Sequence, residues 1–211
     1  MYIPEPFKQH DAAAMQALMR SSSLATLVTR SADGMVADHI PLHLSAEPHL
    51  FGLLQGHVAR ANPLWHSHPA GVDVLAIFHG PDAYISPAWY ASKQETQKVV
   101  PTWNYAAVHA YGRLRVIDDR AWLKEHLAAL TQHHETSVSS TWSMGDAPED
   151  YIERLLGIIV GIEIAVTRIE GKWKASQNRP SADRDSVSST LRARGDGAMA
   201  DLMTRDEGTP R

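Results

Sequence analysis

Apolar and polar residues alternate with a period of two along much of this chain, and the breaks in that alternation mark where strands give way to helices. Leu24–Arg30 (LATLVTR) and Met35–Leu44 read as strands joined by a turn at Ser31–Gly34. Beyond a second turn at Ser45–Pro48, Leu50–Gln55 reads as a third. Pro41 has no amide proton to give a sheet, so the second strand is bent there or lies at an edge. Three strands on tight turns predict an antiparallel meander rather than α/β alternation. Val72–His79 (VDVLAIFH) is apolar and therefore central, with a turn expected at Gly80–Asp82 before Ala83–Ser86. Long strands follow at Tyr105–Ile117 and Ile158–Ile169, the latter ending in an expected turn at Glu170–Gly171 before Lys172–Ala175.

Helical spacing interrupts this pattern in four places. After a short extended arm, Tyr2–Phe7, Asp11 can cap a helix that carries Ala14, Leu18 and Met19. Val58 to about His66 reads as a short helix ended by His68–Gly71. Asp118 or Asp119 caps an amphipathic helix with Trp122, Leu123, Leu127 and Leu130 on one stripe. A further helix starts near Pro148 and carries Tyr151, Ile152, Leu155 and Leu156. About six or seven strands with helices at their ends predict a mainly β fold with peripheral helices (α+β), closed as a small β-barrel. From Pro180 the residues turn polar and small. A single domain over 1–180 is therefore expected, with an extension over 181–211 that forms a marginal helix at Ser181–Leu191 and a disordered end at Thr204–Arg211.

Bulk composition narrows the function classes. The 44% hydrophobic and 21% charged content is that of an ordinary globular protein, and no apolar run reaches the length of a membrane span. The N-terminus lacks the basic-then-apolar layout of a secretory signal, and the absence of cysteine excludes disulfide and thiol chemistry, so a cytoplasmic location is expected. A net charge of −4 gives no global attraction to nucleic acid. Any such binding falls to the basic residues Arg168, Lys172, Lys174, Arg179, Arg184, Arg192 and Arg194, which interleave with Trp173 or guard a strand edge. No helix-turn-helix spacing accompanies them.

Candidate chemistry gathers in two stretches. Gln55–Gly56–His57, followed by Arg60 and Asn62, forms a strand-to-helix corner suited to an anion: first-turn amides point outward and Arg60 adds a fork of donors. Tyr84–Val116 packs Trp89, Tyr90, Trp103, Tyr105 and Tyr111 around His109, Lys93 and Lys98. Two readings of it stand, an aromatic core and the wall of a site for a flat ligand. The twelve histidines include His66 and His68, and His133 and His134 beside Glu135, but no H-E-x-x-H spacing, and consecutive histidines on a helix diverge, so no metal is expected. His39, His43 and His109 alternate with apolar neighbours in strands. A nucleophile motif such as G-x-S-x-G is missing.

The blocks MYIPEPF, LATLVT, GHVARANPLW, VLAIFHGPDAYISPAWY, KVVPTWNYAAVHAYGRLRVI, APEDYI, IVGIEI and EGKWKASQNR, in that order from Met1 to about Arg184, resemble the PaiB-type FMN-binding negative transcriptional regulators. The resemblance implies an FMN-binding split β-barrel of the flavin-reductase and pyridoxamine-phosphate-oxidase type, a homodimer with FMN between two barrels. It implies Arg60 as phosphate ligand, with Gln55, His57 and Asn62 near it, and His39 and Ile40 at the polar edge of the flavin ring. It further implies Trp103, Tyr105 and Trp89 as cover from the partner subunit, and Lys174 in the block that closes the site. Its regulator role implies DNA as a partner, although the chain has no DNA-reading motif. An FMN-dependent oxidoreductase with His109 or Lys174 near its substrate is the alternative, and a haem-handling split barrel, prompted by the histidines, is a third.

Overall fold

The computed structural model describes residues 1–31, 34–45, 51–67 and 71–204. The turns expected at Ser31–Gly34, Ser45–Pro48 and His68–Gly71 fall wholly or partly outside these residues, as do His68 and the tail beyond Thr204. After a 3-10 turn at Glu5–Phe7 come β1 (Lys8–Gln9) and α1 (Ala12–Ser21). Asp11 caps α1 by accepting the Ala13 amide at 2.8 Å, and the helix buries Met15, Leu18 and Met19. The chain continues through β2 (Leu24–Ser31), β3 (Gly34–Pro41), β4 (His43–Ser45), β5 (Leu53–Ala59), α2 (Leu64–Ser67), β6 (Val72–Ile85) and α3 (Lys93–Thr96). β7 (Thr102–Ile117), α4 (Arg120–Ser137), α5 (Glu149–Leu156), β8 (Ile159–Lys174), α6 (Ser181–Ala193) and α7 (Gly197–Thr204) complete it.

The strands form one eight-stranded sheet in the order β3-β2-β6-β7-β8-β5-β4, with β1 paired to β8. β2 and β3 are an antiparallel hairpin with Leu24 opposite Pro41, and β4 and β5 are another with His43 opposite Gln55. The expected three-strand meander is thus replaced by two hairpins at opposite ends of the strand order. Those ends are separated in sequence by Leu42 alone, whose amide donates to the Ser23 carbonyl at 2.8 Å and whose side chain is fully buried. Pro41 closes β3 at an end of the strand order, where its missing donor is harmless.

Two expected turns are strand. β6 runs through Gly80–Asp82 and β8 through Glu170–Gly171. Each glycine marks a close approach instead: a Cβ on Gly80 would lie 2.9 Å from the Ala106 Cβ, and one on Gly171 would lie 2.7 Å from the Met15 sulfur. The short helix expected from Val58 is corrected as well. Val58 and Ala59 belong to β5, paired with Val160 and Ile159, and only Leu64–Ser67 is helical.

The described residues form two compact units. The first comprises those of Met1–Leu18, His79–Val108 and Glu170–Arg211, and the second Met19–Phe78 and His109–Ile169. In the first unit Val187 and Leu191 of α6, with Met199, Ala200 and Met203 of α7, are buried against Ala83, Ile85, Tyr90 and Ala175. Averaged over the helix, α6 is polar, yet Asp183, Val187 and Leu191 repeat every four residues and form one buried stripe. Each such aliphatic side chain contributes roughly 1.5–3 kcal/mol by leaving water. In the second unit α4 begins at Asp119, which accepts the Trp122 amide at 2.9 Å, and buries Leu123, His126 and Leu130. His126 belongs to the buried stripe, while Leu127 is only half-buried.

Candidate functional site

In the second unit, β5 directs Leu54, Gly56 and Val58 to the interior and Gln55 and His57 to the opposite face. There Glu163 of β8, 3% exposed, gathers a set of donors. Gln55 Nε2 lies 3.0 Å from its carboxylate, Trp122 Nε1 3.1 Å and Arg115 Nε 2.6 Å, and a second Arg115 nitrogen pairs with it as well. Burial alone would raise the Glu163 carboxyl, but the hydrogen bonds from Gln55 and Arg115, the Arg115 charge and the Trp122 indole hold it below its ordinary value. Beside it His57 Nδ1 and His126 Nε2 are 3.2 Å apart, and Trp122 stacks on His126 with ring centroids 5.1 Å apart. Burial lowers His57. Burial, then the neighbouring His57 and His43, push His126 down to about 4, against the opposing pull of Glu163.

Where β5 ends, Arg60 is engaged by its own unit through four of its five N–H groups. Its Nη1 and Nη2 grip Asp118 at 3.1 and 2.6 Å, its Nε donates to the Gly157 carbonyl at 3.1 Å, and Nη2 also reaches the Ile159 carbonyl at 3.2 Å. Four of its contacts are therefore internal, and its charge is balanced by Asp118. Asn62 works in two directions: its amide donates to Asp38 at 2.9 Å while its oxygen caps the Leu64 amide at 2.8 Å. The other Asp38 oxygen is buried with no partner among the described residues. On β3, His39 is exposed with Nδ1 at 3.2 Å from the Thr26 hydroxyl, and Ile40 is core.

The remaining expected residues lie in the first unit. Trp103 is 54% exposed, edge-on to Tyr84 at 6.0 Å between centroids. Lys174 bonds the Thr102 hydroxyl and donates to the Trp103 carbonyl at 2.7 Å. Burial lowers its pKa, Tyr105 opposes and Lys172 adds to the fall. Two residues back on β8, Lys172 sits 5.2 Å from the Tyr105 ring and donates to the Tyr2 carbonyl at 3.2 Å. Trp89 is placed differently from Trp103. It packs against the α6–α7 core, under the Arg194 guanidinium at 5.3 Å, with its carbonyl accepting from Ser186 at 2.7 Å. Asp183, 1% exposed, accepts both the Ser92 amide and hydroxyl at 2.8 Å and so fixes this stretch.

Of the ten expected residues, Gln55 and His57 join one network, while Trp103, Tyr105 and Lys174 gather on β7 and β8. The sequence reading missed Glu163, Arg115, Trp122 and His126 as partners of Gln55 and His57. One signal for Glu163 was available: it is the lone charge inside the apolar run IVGIEIAV, and a charge in such a run must be paired. Asn104 and Ser176, buried and 2.9 Å apart, were missed too, as was the left-handed φ of +62° at Ser176. Among the described residues no three histidine, aspartate or glutamate side chains are placed to share a metal ion.

Residues 1–168 match a family model described as "Putative FMN-binding domain". The chain is 35% identical over 184 residues to the Bacillus subtilis protein named "Protease synthase and sporulation protein PAI 2", covering 87% of this chain and 85% of that one. It is 34% identical over 222 residues to an uncharacterized protein of Emericella nidulans, covering 89% and 88%. Among solved structures, the FAD and heme binding protein of Mycobacterium smegmatis superposes with a TM-score of 0.59 at 14% identity, covering 86% of this chain and 79% of that one. The flavocytochrome Anf3 of Azotobacter vinelandii gives 0.56 at 13%, covering 79% and 69%. The fold is the flavin-binding split β-barrel with peripheral helices.

Proposed function

We propose, from the premise that this chain belongs to the family of FMN-binding domains, that it is a homodimeric flavoprotein of the PaiB type acting as a negative regulator of transcription. FMN is the cofactor. It supplies a redox-active ring when bound, and the protein's part is to bind, orient and shield it. The observation that carries our placement is the state of the cations. Lys172 and Lys174 of the first unit meet aromatic rings, a hydroxyl and main-chain oxygens, and neither forms an ion pair among the described residues. Exposed Trp103, with Tyr84 on its edge, offers an apolar face, and Lys174 has a third N–H to give an anionic or carbonyl oxygen. These residues suit a flat anionic ligand.

The corner set of His39, Ile40, Gln55, His57, Arg60 and Asn62 is the other candidate holder of the phosphate, and its Arg60 would have to leave Asp118. Titration with FMN in the two variants separates them. Lys174→Ala is expected to weaken FMN binding by roughly 1.5–3 kcal/mol, the range for hydrogen bonds to charged groups, with Arg60→Ala changing it little. The reverse result moves the phosphate to the Arg60 corner. A colourless protein whose melting temperature FMN does not raise removes the cofactor reading altogether.

Homodimerisation rests on the β2–β3 hairpin, where Leu24, Met35 and Val36 are exposed and β3 ends the strand order. Light scattering is expected to give twice the chain mass. The regulatory role predicts DNA binding that weakens steeply with salt. The second reading, an FMN-dependent oxidoreductase, is favoured by the lowered Lys174 pKa beside exposed Trp103. It predicts turnover with a nicotinamide donor and no salt-sensitive DNA binding.

A further inference from the structure

The outer face of α4 and the segment that follows it enclose a cleft of about 360 Å³ that none of the flavin-related residues touches. Thr131, Gln132, Glu135 and Thr136 line it from the helix, at spacings of three and four that share one face, and Trp142 and Met144 line it from the return segment. That segment is held in place by its own bonds. The Ser140 amide donates to the Glu135 carbonyl at 2.9 Å, Ser139 takes a left-handed φ of +58°, and Ser140 Oγ accepts the Trp142 amide at 3.2 Å. Asp146 then accepts the Ser143 amide at 2.7 Å, closing a capping box that anchors the far end.

The lining is chemically one-sided. Glu135 is its sole ionisable group, half-buried and in no ion pair among the described residues, and no basic side chain faces it. Opposite stand an indole and a thioether. Trp142, which lines the cleft, is 46% exposed. The hydroxyls of Thr131 and Thr136 add acceptor lone pairs, that of Thr136 already directing its proton to the Gln132 carbonyl at 2.7 Å. A carboxylate, a π face, a polarisable sulfur and acceptor oxygens together favour a positive charge with a short apolar body. The volume suits one small molecule.

We propose that this cleft binds the alkylammonium group of a small organic cation, with Glu135 as counter-ion and Trp142 as the cation–π wall. The test is two-dimensional NMR of the indole N–H signals of the full chain, with the Trp142 signal assigned from Trp142→Phe. Titration with n-butylammonium chloride is expected to move that signal saturably, and 1-butanol, of the same length without charge, is expected to leave it in place. Glu135→Gln is expected to weaken the ammonium response about tenfold, the loss of one charge-assisted contact. FMN loading is expected to be unchanged in both variants. A Trp142 signal that does not saturate, that responds equally to the alcohol, or that responds equally in Glu135→Gln overturns the proposal.

Discussion

In the second unit Arg60 faces Asp118, Arg115 faces Glu163, and Arg120 and Lys124 share Glu153, whereas in the first Lys172, Arg179 and Arg194 lie over the rings of Tyr105, Tyr90 and Trp89. The difference matters for an anionic ligand. A guanidinium gripped by a carboxylate is already neutralised, and a phosphate must compete with that carboxylate. A cation over a ring is attracted only to a quadrupole and keeps its full charge for an incoming anion. Lys172, Arg179 and Arg194 of the first unit thus keep their charge for an anion, whereas Arg60, Arg115, Arg120 and Lys124 of the second have theirs matched by carboxylates.

Breaking the second unit should have the largest effect. Glu163→Ala leaves the part-buried Gln55 amide and Trp122 indole without their acceptor, at roughly 1–3 kcal/mol each, and exposed Arg115 without its partner, and is expected to destabilise by about 3–5 kcal/mol in urea unfolding. A loss below about 1 kcal/mol, typical of an exposed ion pair, would mean the network is not what closes this unit.

Acid should find the same unit through His126. In the unfolded chain this ring takes up a proton near 6.5, but in the folded protein only at about 4. Between those values the unfolded state binds more protons, so stability falls as pH drops through that window and is fully present above it. The expected loss is about 3 kcal/mol, from unfolding at a series of pH values, and His126→Leu should flatten the dependence. An unchanged slope in that variant would transfer the effect to other groups.

The first unit is expected to be sensitive at Asp183. Its replacement by Ala removes the acceptor of the Ser92 amide and hydroxyl and should destabilise by roughly 1.5–3 kcal/mol. Trypsin cleavage at Lys93 and Lys98 should accelerate in parallel, and equal cleavage in both proteins would argue that α6 does not hold this stretch. The smallest effect is expected at the exposed pair Arg154–Asp150 on α5, where Arg154→Ala should change stability by less than about 0.5 kcal/mol. A larger change there would undo the distinction between buried and surface pairs.

The strands were legible wherever side chains alternate, because the pleat forces alternate residues to opposite faces. β2, β7 and the first half of β8 fall where the pattern puts them. The pattern failed at Gly80 and Gly171, where glycine suggested a turn but serves the close packing of Ala106 and Met15. A helix falls where one is expected at Ser181–Leu191, as α6, but its polar average hid the buried stripe from Asp183 to Leu191. Among the candidate site residues, the types were readable and the partners were not. Nothing near His57 in sequence announces His126, 69 positions away, and nothing near Arg60 announces Asp118, 58 positions away.

By itself, then, the sequence determined the β-rich class, the capping of α1 by Asp11 and of α4 by Asp118 or Asp119, and family membership, all of which rest on local spacing or contiguous blocks. Tertiary structure alone decided which charges are neutralised and which remain available. Arg60 and Lys174 are both cations able to meet an anionic oxygen, and only the fold sets one against Asp118 and the other beside a hydroxyl and a carbonyl. The reason is physical: a side chain's charge is intrinsic to its chemistry, but the state of that charge is a property of what packs within a few ångströms of it.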